Sequence, residues 1–289
     1  MPNTTLTETI DIPRLGEIVA AKPHTIGNGF AARHFSEEMF SGFMDPLLMV
    51  DHFVMSAPTF QPHLHAGISA VTAMFEDSGN FRNRDTLGNN VVLEPGDLYW
   101  LAAASGAVHE ELPEPGPRTH ALQIFVNLPA HLKKAPARAF HVRAKDVPVI
   151  SGQGHRVRVV LGRSGETIGA DGTPEEMTML DGFLDKGGSF SYALPTAWQA
   201  WIYTISGALI VTNGSRERSL EAGNALTVGA GAQTEIVLTS DAPTHFVLMA
   251  ARPIGEAFVK HGPLVMSTEE DVRRTLADYA DGQFGRVPR

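Results

Sequence analysis

Two short runs, His63-Leu64-His65 and His109-Glu110-Glu111, carry side chains suited to holding a metal ion. On a β-strand, residues i and i+2 leave the same face about 6–7 Å apart, so each run can aim two ligands at one point. Together they supply three imidazoles and one carboxylate. Glu111 shares a face with His109, whereas Glu110 is one residue out of register and points the opposite way. His65 and His109 lie 44 positions apart. The stretch between them alternates short strands with tight turns and can fold one run over the other. A β-barrel interior is therefore the expected place for the ion.

Imidazole with one carboxylate suits a divalent first-row transition metal: Fe(II), Mn, Ni, Cu(II) or Zn. Four protein ligands leave two positions on an octahedral ion, enough for a substrate oxygen and dioxygen, which favours a redox metal over zinc. The chain has no cysteine, which excludes thiolate sites and disulfides. Among the 12 histidines, His52 follows Asp51 behind the apolar run Leu47–Val50. It reads as a core or rim residue, with a supporting role behind the ligands ahead of a catalytic one. His120, His131, His141, His155, His245 and His261 are singletons and read as structural or solvent-facing. Neither a G-x-S-x-G elbow nor a phosphate-binding glycine loop is present, so nucleophilic hydrolysis and nucleotide-dependent chemistry lack support.

A length of 289 residues suggests two domains, and 43% hydrophobic content is ample for two cores. The formal charge of −9, without any cluster of Lys and Arg, argues against direct nucleic-acid binding. The densest basic stretch, Arg156 to Arg163, alternates with Val and Leu and reads as one strand with a wet face. No apolar run approaches the roughly 18–20 residues of a membrane span, and the first residues lack the charged and apolar regions of a signal peptide. The expectation is a cytoplasmic, monomeric protein.

Glycine (28) and proline (19) punctuate the chain at short intervals, as expected for many short strands. The clearest are Val91–Leu93, Leu98–Ala103, Ala121–Leu128, Ala200–Thr204, Ala208–Thr212 and Thr244–Ala250, several with period-2 alternation. Such spacing points to sandwiches or barrels. One segment reads as a helix. Ser267-Thr268-Glu269-Glu270 forms a capping box, Val272, Leu276 and Tyr279 fall on one face, and Gly282 closes it. This helix is expected to cover an open sheet. A weaker helical reading covers Ala130–Ala135.

An internal repeat supports two similar halves. The element Val91-Val92-Leu93-Glu94-Pro95-Gly96-Asp97-Leu98 recurs loosely as Arg218-Ser219-Leu220-Glu221-Ala222-Gly223-Asn224-Ala225-Leu226. After it the first copy carries His109-Glu110-Glu111 and the second Gln233-Thr234-Glu235. Before it, Pro195 to Trp201 offers no counterpart to His63-Leu64-His65. Metal chemistry is thus confined to the first half.

Taken in order, Pro62-His63-Leu64-His65-Ala66-Gly67, Arg84-Asp85-Thr86-Leu87-Gly88-Asn89, Pro95-Gly96-Asp97-Leu98-Tyr99-Trp100 and Ser105-Gly106-Ala107-Val108-His109-Glu110-Glu111 resemble the pirin family, within the bicupin branch of the cupins. Pro253-Ile254-Gly255-Glu256 and His261-Gly262-Pro263-Leu264-Val265-Met266 extend the match towards the C-terminus. The resemblance implies an all-β chain of two stacked cupin-type (jelly-roll) β-barrels with a short C-terminal α-helix. The division would be 1–138 with the metal and 139–289 without it. It places the family's four ligands on His63, His65, His109 and Glu111 and implies an iron-type ion. The family pattern H-x-H-R-G-F-E departs here to Ala66, Gly67, Ile68 and Ser69, a family histidine appears as Asn83, and a family glutamine as Tyr99. These changes alter charge and size beside the ligands.

The resemblance implies two activities of different class. One is a quercetin 2,3-dioxygenase-like enzyme acting with dioxygen on a flavonol-like, phenolic or enediol substrate, with Glu111 shifting between ligand and general base. The other is a metal- or redox-responsive regulator whose surface binds a partner protein, the acidic charge favouring a basic patch on it.

Overall fold

The computed structural model describes residues 14–289. Period-2 patterning dominates the chain, and the chain folds as expected from it: two cupin-type barrels of antiparallel strands and, among the described residues, a single α-helix at Glu269–Ala280. Each barrel has a seven-stranded and a four-stranded sheet. In the first, the large sheet runs Arg138–Val142, Leu98–Ala102, Ile68–Met74, Thr119–Asn127, Leu47–Met55, Phe30–Ser36, Lys22–Ile26. The small sheet runs His63–His65, Ala107–Pro113, Phe81–Asp85, Asn90–Leu93. The second barrel repeats the small sheet as Ser189–Leu194, Thr234–Thr239, Ala208–Asn213, Arg216–Glu221.

Alternation along the strands decides which face sees what. On Leu47–Met55, Phe53 and Met55 enter the first barrel, while Val50 joins a core between the two large sheets. That inter-barrel core holds Phe35, Val50, Trp100 and Ile124 from one barrel against Trp201, Tyr203 and Met249 from the other. Burying a side chain of this size contributes roughly 1.5–3 kcal/mol. The second barrel is filled by Phe190, Tyr192, Leu194, Ile236 and Leu238.

The repeated turn holds in detail: Gly96 and Gly223 both adopt left-handed backbone, at φ 84° and 88°. Only a residue without Cβ takes that conformation at no steric cost. The structural counterpart of His63–His65, however, is Ser189–Leu194, the strand in the equivalent place of the second small sheet, rather than Pro195–Trp201. Strand Arg138–Val142 pairs with Leu98–Ala102 across the expected 138/139 division, so the first barrel's sheet runs on to Val142. The termini also cross over. Val19 pairs with Ala225 of the second barrel, and Ala66 bridges to Leu264.

The helix begins one residue later than the capping box suggested. Thr268 is the N-cap, accepting from the Asp271 N–H at 3.1 Å, because Asp271 rather than Glu270 stands three residues on. Its apolar side packs Val272 and Leu276 on Leu64, Ala66 and Val108, the outer face of the small sheet of the first barrel, whereas Tyr279 is 41% exposed. Ala130–Ala135 forms hydrogen-bonded turns in place of a helix, with Leu132 and Lys133 both donating to the Pro129 carbonyl. The basic strand is His155–Leu161, and its Arg158 is buried against Asp181 at 2.8 Å, so that position is not on a wet face. Among the described residues no helix is long and apolar enough to cross a membrane.

Candidate metal centre

Strands His63–His65 and Ala107–Pro113 pair antiparallel, with His109 directly opposite His63 and Ala107 opposite His65. Small, fully buried Ala107 leaves room for the ring of His65 to lean towards His109. The three imidazoles converge: ring centroids are 4.7–4.8 Å apart. His65 and His109 bring their Nε2 atoms to 2.9 Å, and His109 and His63 to 3.2 Å. Two nitrogens bound at about 2.1 Å and at right angles on one ion stand about 3 Å apart, so this spacing fits a shared divalent ion.

Protonation favours the same role. A carbonyl can only accept, so His63 Nδ1 donates to Gln61 O at 2.9 Å and leaves Nε2 with its lone pair. Burial pushes His65 down to about 3, helped by neighbouring His63, and holds His109 well below the ordinary imidazole value. Neutral imidazoles are the form that ligates metal.

Glu111 sits two residues beyond His109 on the same face and lines the same cavity, but its carboxylate does not join the cluster of ligand atoms that the three histidines form. Thr72 and Asn83 both donate to Oε1, the latter at 3.1 Å, which leaves Oε2 without a side-chain partner among the described residues. Burial pushes the Glu111 carboxyl up to about 7, with Thr72 and Asn83 acting in the opposite direction. Glu110, out of register, pairs with Arg84 instead.

The cavity over these groups measures about 160 Å³. Its walls are Phe30, Phe53, Phe60, Phe81 and Phe125 with Met49 and Met55. Exposed His24 and half-buried Phe60 and His63 stand at its mouth. Asp51 and Gln123 add polar groups. Asp51 accepts from His34 Nδ1 at 2.7 Å, and Gln123 Oε1 lies 3.0 Å from the Thr72 hydroxyl. Sequence reading missed His24, Asp51, Thr72 and Gln123. Their signal was the inward register of the large sheet, visible once Phe53 and Ile124 are placed.

Comparison with known proteins assigns the fold a family. Residues 21–126 match the model of the Pirin family, and residues 179–285 that of the Pirin C-terminal cupin domain. Human Pirin is 30% identical over 246 residues, 84% of this chain and 83% of its own. The chain belongs to the pirin family. A crystal structure of quercetin 2,3-dioxygenase from Acinetobacter baumannii superposes at a TM-score of 0.83 with 26% identity, over 94% of this chain and 98% of that one. The bacterial pirin YhhW from Escherichia coli, solved in complex with nickel(II), shares the fold at a TM-score of 0.62 and 19% identity, over 82% of this chain and all of its own.

Within this pirin, the departures from the family pattern lie in different places. Asn83 touches Glu111. Tyr99 donates to Asp85 Oδ2 at 2.5 Å, and Asp85 stands opposite His109 across the sheet. Ser69 shares the side of its strand with Val71 and Ala73, which pack in the inter-barrel core rather than over the ligands. Ala66 packs under Leu264 and the helix. His52 and His120 face the groove between the barrels, away from the metal cavity, and are bonded to each other.

Proposed function

We propose that His63, His65, His109 and Glu111 hold one divalent transition metal, iron(II) first among the candidates, and that this pirin is a dioxygenase of phenolic or enediol substrates of the flavonol type. The observation that carries the reading is the placement of three converging neutral imidazoles and a glutamate of raised pKa under an aromatic cavity. A bound metal supplies Lewis acidity and one-electron chemistry towards dioxygen at this point.

The chain's own residues do the rest. A cavity of about 150 Å³ takes a benzene-sized ring, so 160 Å³ fits the reacting ring, with the remainder of a larger substrate passing His24 and Phe60 at the mouth. Phe53, Phe81 and Phe125 wall the ring and keep water out. Thr72 and Asn83 hold Glu111 through Oε1, while Oε2 is placed to take the proton of a substrate hydroxyl. Burial pushes the carboxyl up and a bound cation would pull it down, which favours the carboxylate form that accepts a proton.

Metal analysis of the purified protein, then reloading with Fe(II), Mn(II) or Ni(II), precedes the test. Oxygen uptake with loss of flavonol absorbance is expected for the loaded protein, and loss of both metal and turnover for His109→Ala. A loaded protein that consumes no oxygen across a panel of flavonols and catechols overturns the reading.

A further inference from the structure

Among the described residues a cleft of about 890 Å³, larger than the metal pocket, lies between the barrels. Its walls come from strand Phe30–Ser36 and strand Leu47–Met55 on one side and from the second barrel on the other. Even-numbered His52 and Val54 reach it because odd-numbered Asp51 and Phe53 turn towards the metal pocket.

A hydrogen-bonded chain is built into the wall. His120 Nδ1 lies 2.6 Å from Asp77 Oδ1, His120 Nε2 lies 2.7 Å from His52 Nε2, and His52 Nδ1 lies 2.7 Å from the Tyr203 hydroxyl. Burial lowers both imidazoles and favours their neutral forms, for which only one set of protons satisfies every link. The carboxylate must accept from His120 Nδ1, His120 Nε2 must accept from His52 Nε2, and His52 Nδ1 must accept from Tyr203. The chain therefore fixes both imidazoles with no donor left over. Opposite, His245 is held by Asp181 at 2.6 Å and stacks on Phe183 with centroids 4.1 Å apart, so the two rings line the cleft as one stacked aromatic pair.

Two charged groups lining this cleft, Arg33 and Asp185, are exposed, belong to opposite barrels, and make no ion pair among the described residues. The Arg33 guanidinium stands beside the Tyr203 hydroxyl, which leaves its remaining N–H groups to a ligand. By contrast Glu76 is taken by Arg156 at 2.6 and 2.7 Å, and Asp77 by His120. A guanidinium without an ion pair asks for a carboxylate, a carboxylate without one asks for a hydroxyl donor, and the edges of a stacked aromatic pair accept a ring between them.

We propose that the inter-barrel cleft is a second small-molecule site, which takes a hydroxylated aromatic acid with its carboxylate on Arg33, its ring against Phe183 and His245, and its hydroxyl donating to Asp185. The volume lies within the range of ligand pockets, and walls from two packed domains are a common setting for one. The site shares no residue with the metal centre, so it stands or falls independently of the dioxygenase reading.

The test titrates 4-hydroxybenzoate into the full-length protein, followed by calorimetry and by methyl NMR. Binding with a Kd below about 1 mM is expected, weakened about tenfold or more in Arg33→Gln and lost in Ser206→Trp, which fills the cleft. Shifts are expected at Val54 and Ile205, and His109→Ala is expected to bind as the wild type does. Absence of binding, an undiminished affinity in Arg33→Gln, or shifts confined to Met49 and Met55 of the metal pocket overturns the proposal. The NMR readout decides the question in the wild-type protein even if a variant fails to fold.

Discussion

Asn83 faces Glu111 directly across the antiparallel pair Phe81–Asp85 and Ala107–Pro113, and its amide donates to Glu111 Oε1 at 3.1 Å. A donor to a carboxylate stabilises the charged form and so lowers its pKa. Asn83→Leu removes that donor while the burial that raises Glu111 remains. The Glu111 pKa should then rise by about one unit, the worth of one hydrogen bond to a charged group. Since the base acts deprotonated, the acid limb of kcat/KM against pH is expected to move upward by that amount, with the metal content unchanged. An unmoved acid limb would show that Glu111 is not the titrating base.

The three imidazoles bring metal affinity into stability. A metal that binds the folded chain at 100 times its Kd stabilises by about 2.7 kcal/mol, equivalent to roughly 5–10 °C in Tm for a protein of this size. Chelation should lower Tm by that amount, and readdition of metal should restore it. In His109→Ala the Tm is expected to be indifferent to metal.

Most of this architecture was legible because it is written in short-range periods. Two ligands on alternate positions of one strand need no knowledge of the fold to be paired, and the Gly96 and Gly223 turns repeat locally. The cleft residues were not legible for the opposite reason. His52 meets its partners His120 and Tyr203 at separations of 68 and 151 residues, the second in the other barrel, and no sequence period connects them. The helix cap slipped by one because Ser267 and Thr268 are both hydroxyl residues followed three positions later by a carboxylate. The helix and the strand before it pack on the first barrel because Leu64 and Val108 leave an apolar outer face there, a fact about the far side of the metal sheet.

Acid should destabilise the metal-free protein from the histidines alone. His65 is pushed down to about 3 when folded, against an unfolded value of about 6.5. Between these pH values the unfolded chain binds the extra proton, so stability is complete above pH 6.5 and is lost as pH falls towards 3. A single such group weakens folding by up to about 1.4 kcal/mol per pH unit in that window. The urea midpoint of chelated protein is expected to fall steadily from pH 7 to pH 5, and less steeply in His65→Gln. Glu111, raised when folded, opposes this trend in the same window, so the comparison of the two proteins decides: equal pH slopes in wild type and His65→Gln would contradict the burial of a neutral imidazole at 65.

Lys133 locks the turn after His65 to the C-terminal strand. Its buried ammonium donates to Gly67 O at 2.8 Å, Asn127 Oδ1 at 2.6 Å and Val265 O at 2.7 Å, and burial holds its pKa down at about 8. Gly67 must be glycine here: its φ is 72°, and a Cβ would stand 1.9 Å from the Val265 carbonyl oxygen. Lys133→Met keeps the apolar stem but leaves three buried acceptors unpaired. Each unpaired group costs about 1–3 kcal/mol, so a loss of about 3–5 kcal/mol is expected in urea unfolding. Since Gly67 follows the metal strand by two residues, the same variant should also weaken metal affinity, read by competition with a chelator. A variant that loses stability yet keeps full metal affinity would mean that the strand His63–His65 holds its place through its pairing with Ala107–Pro113 alone.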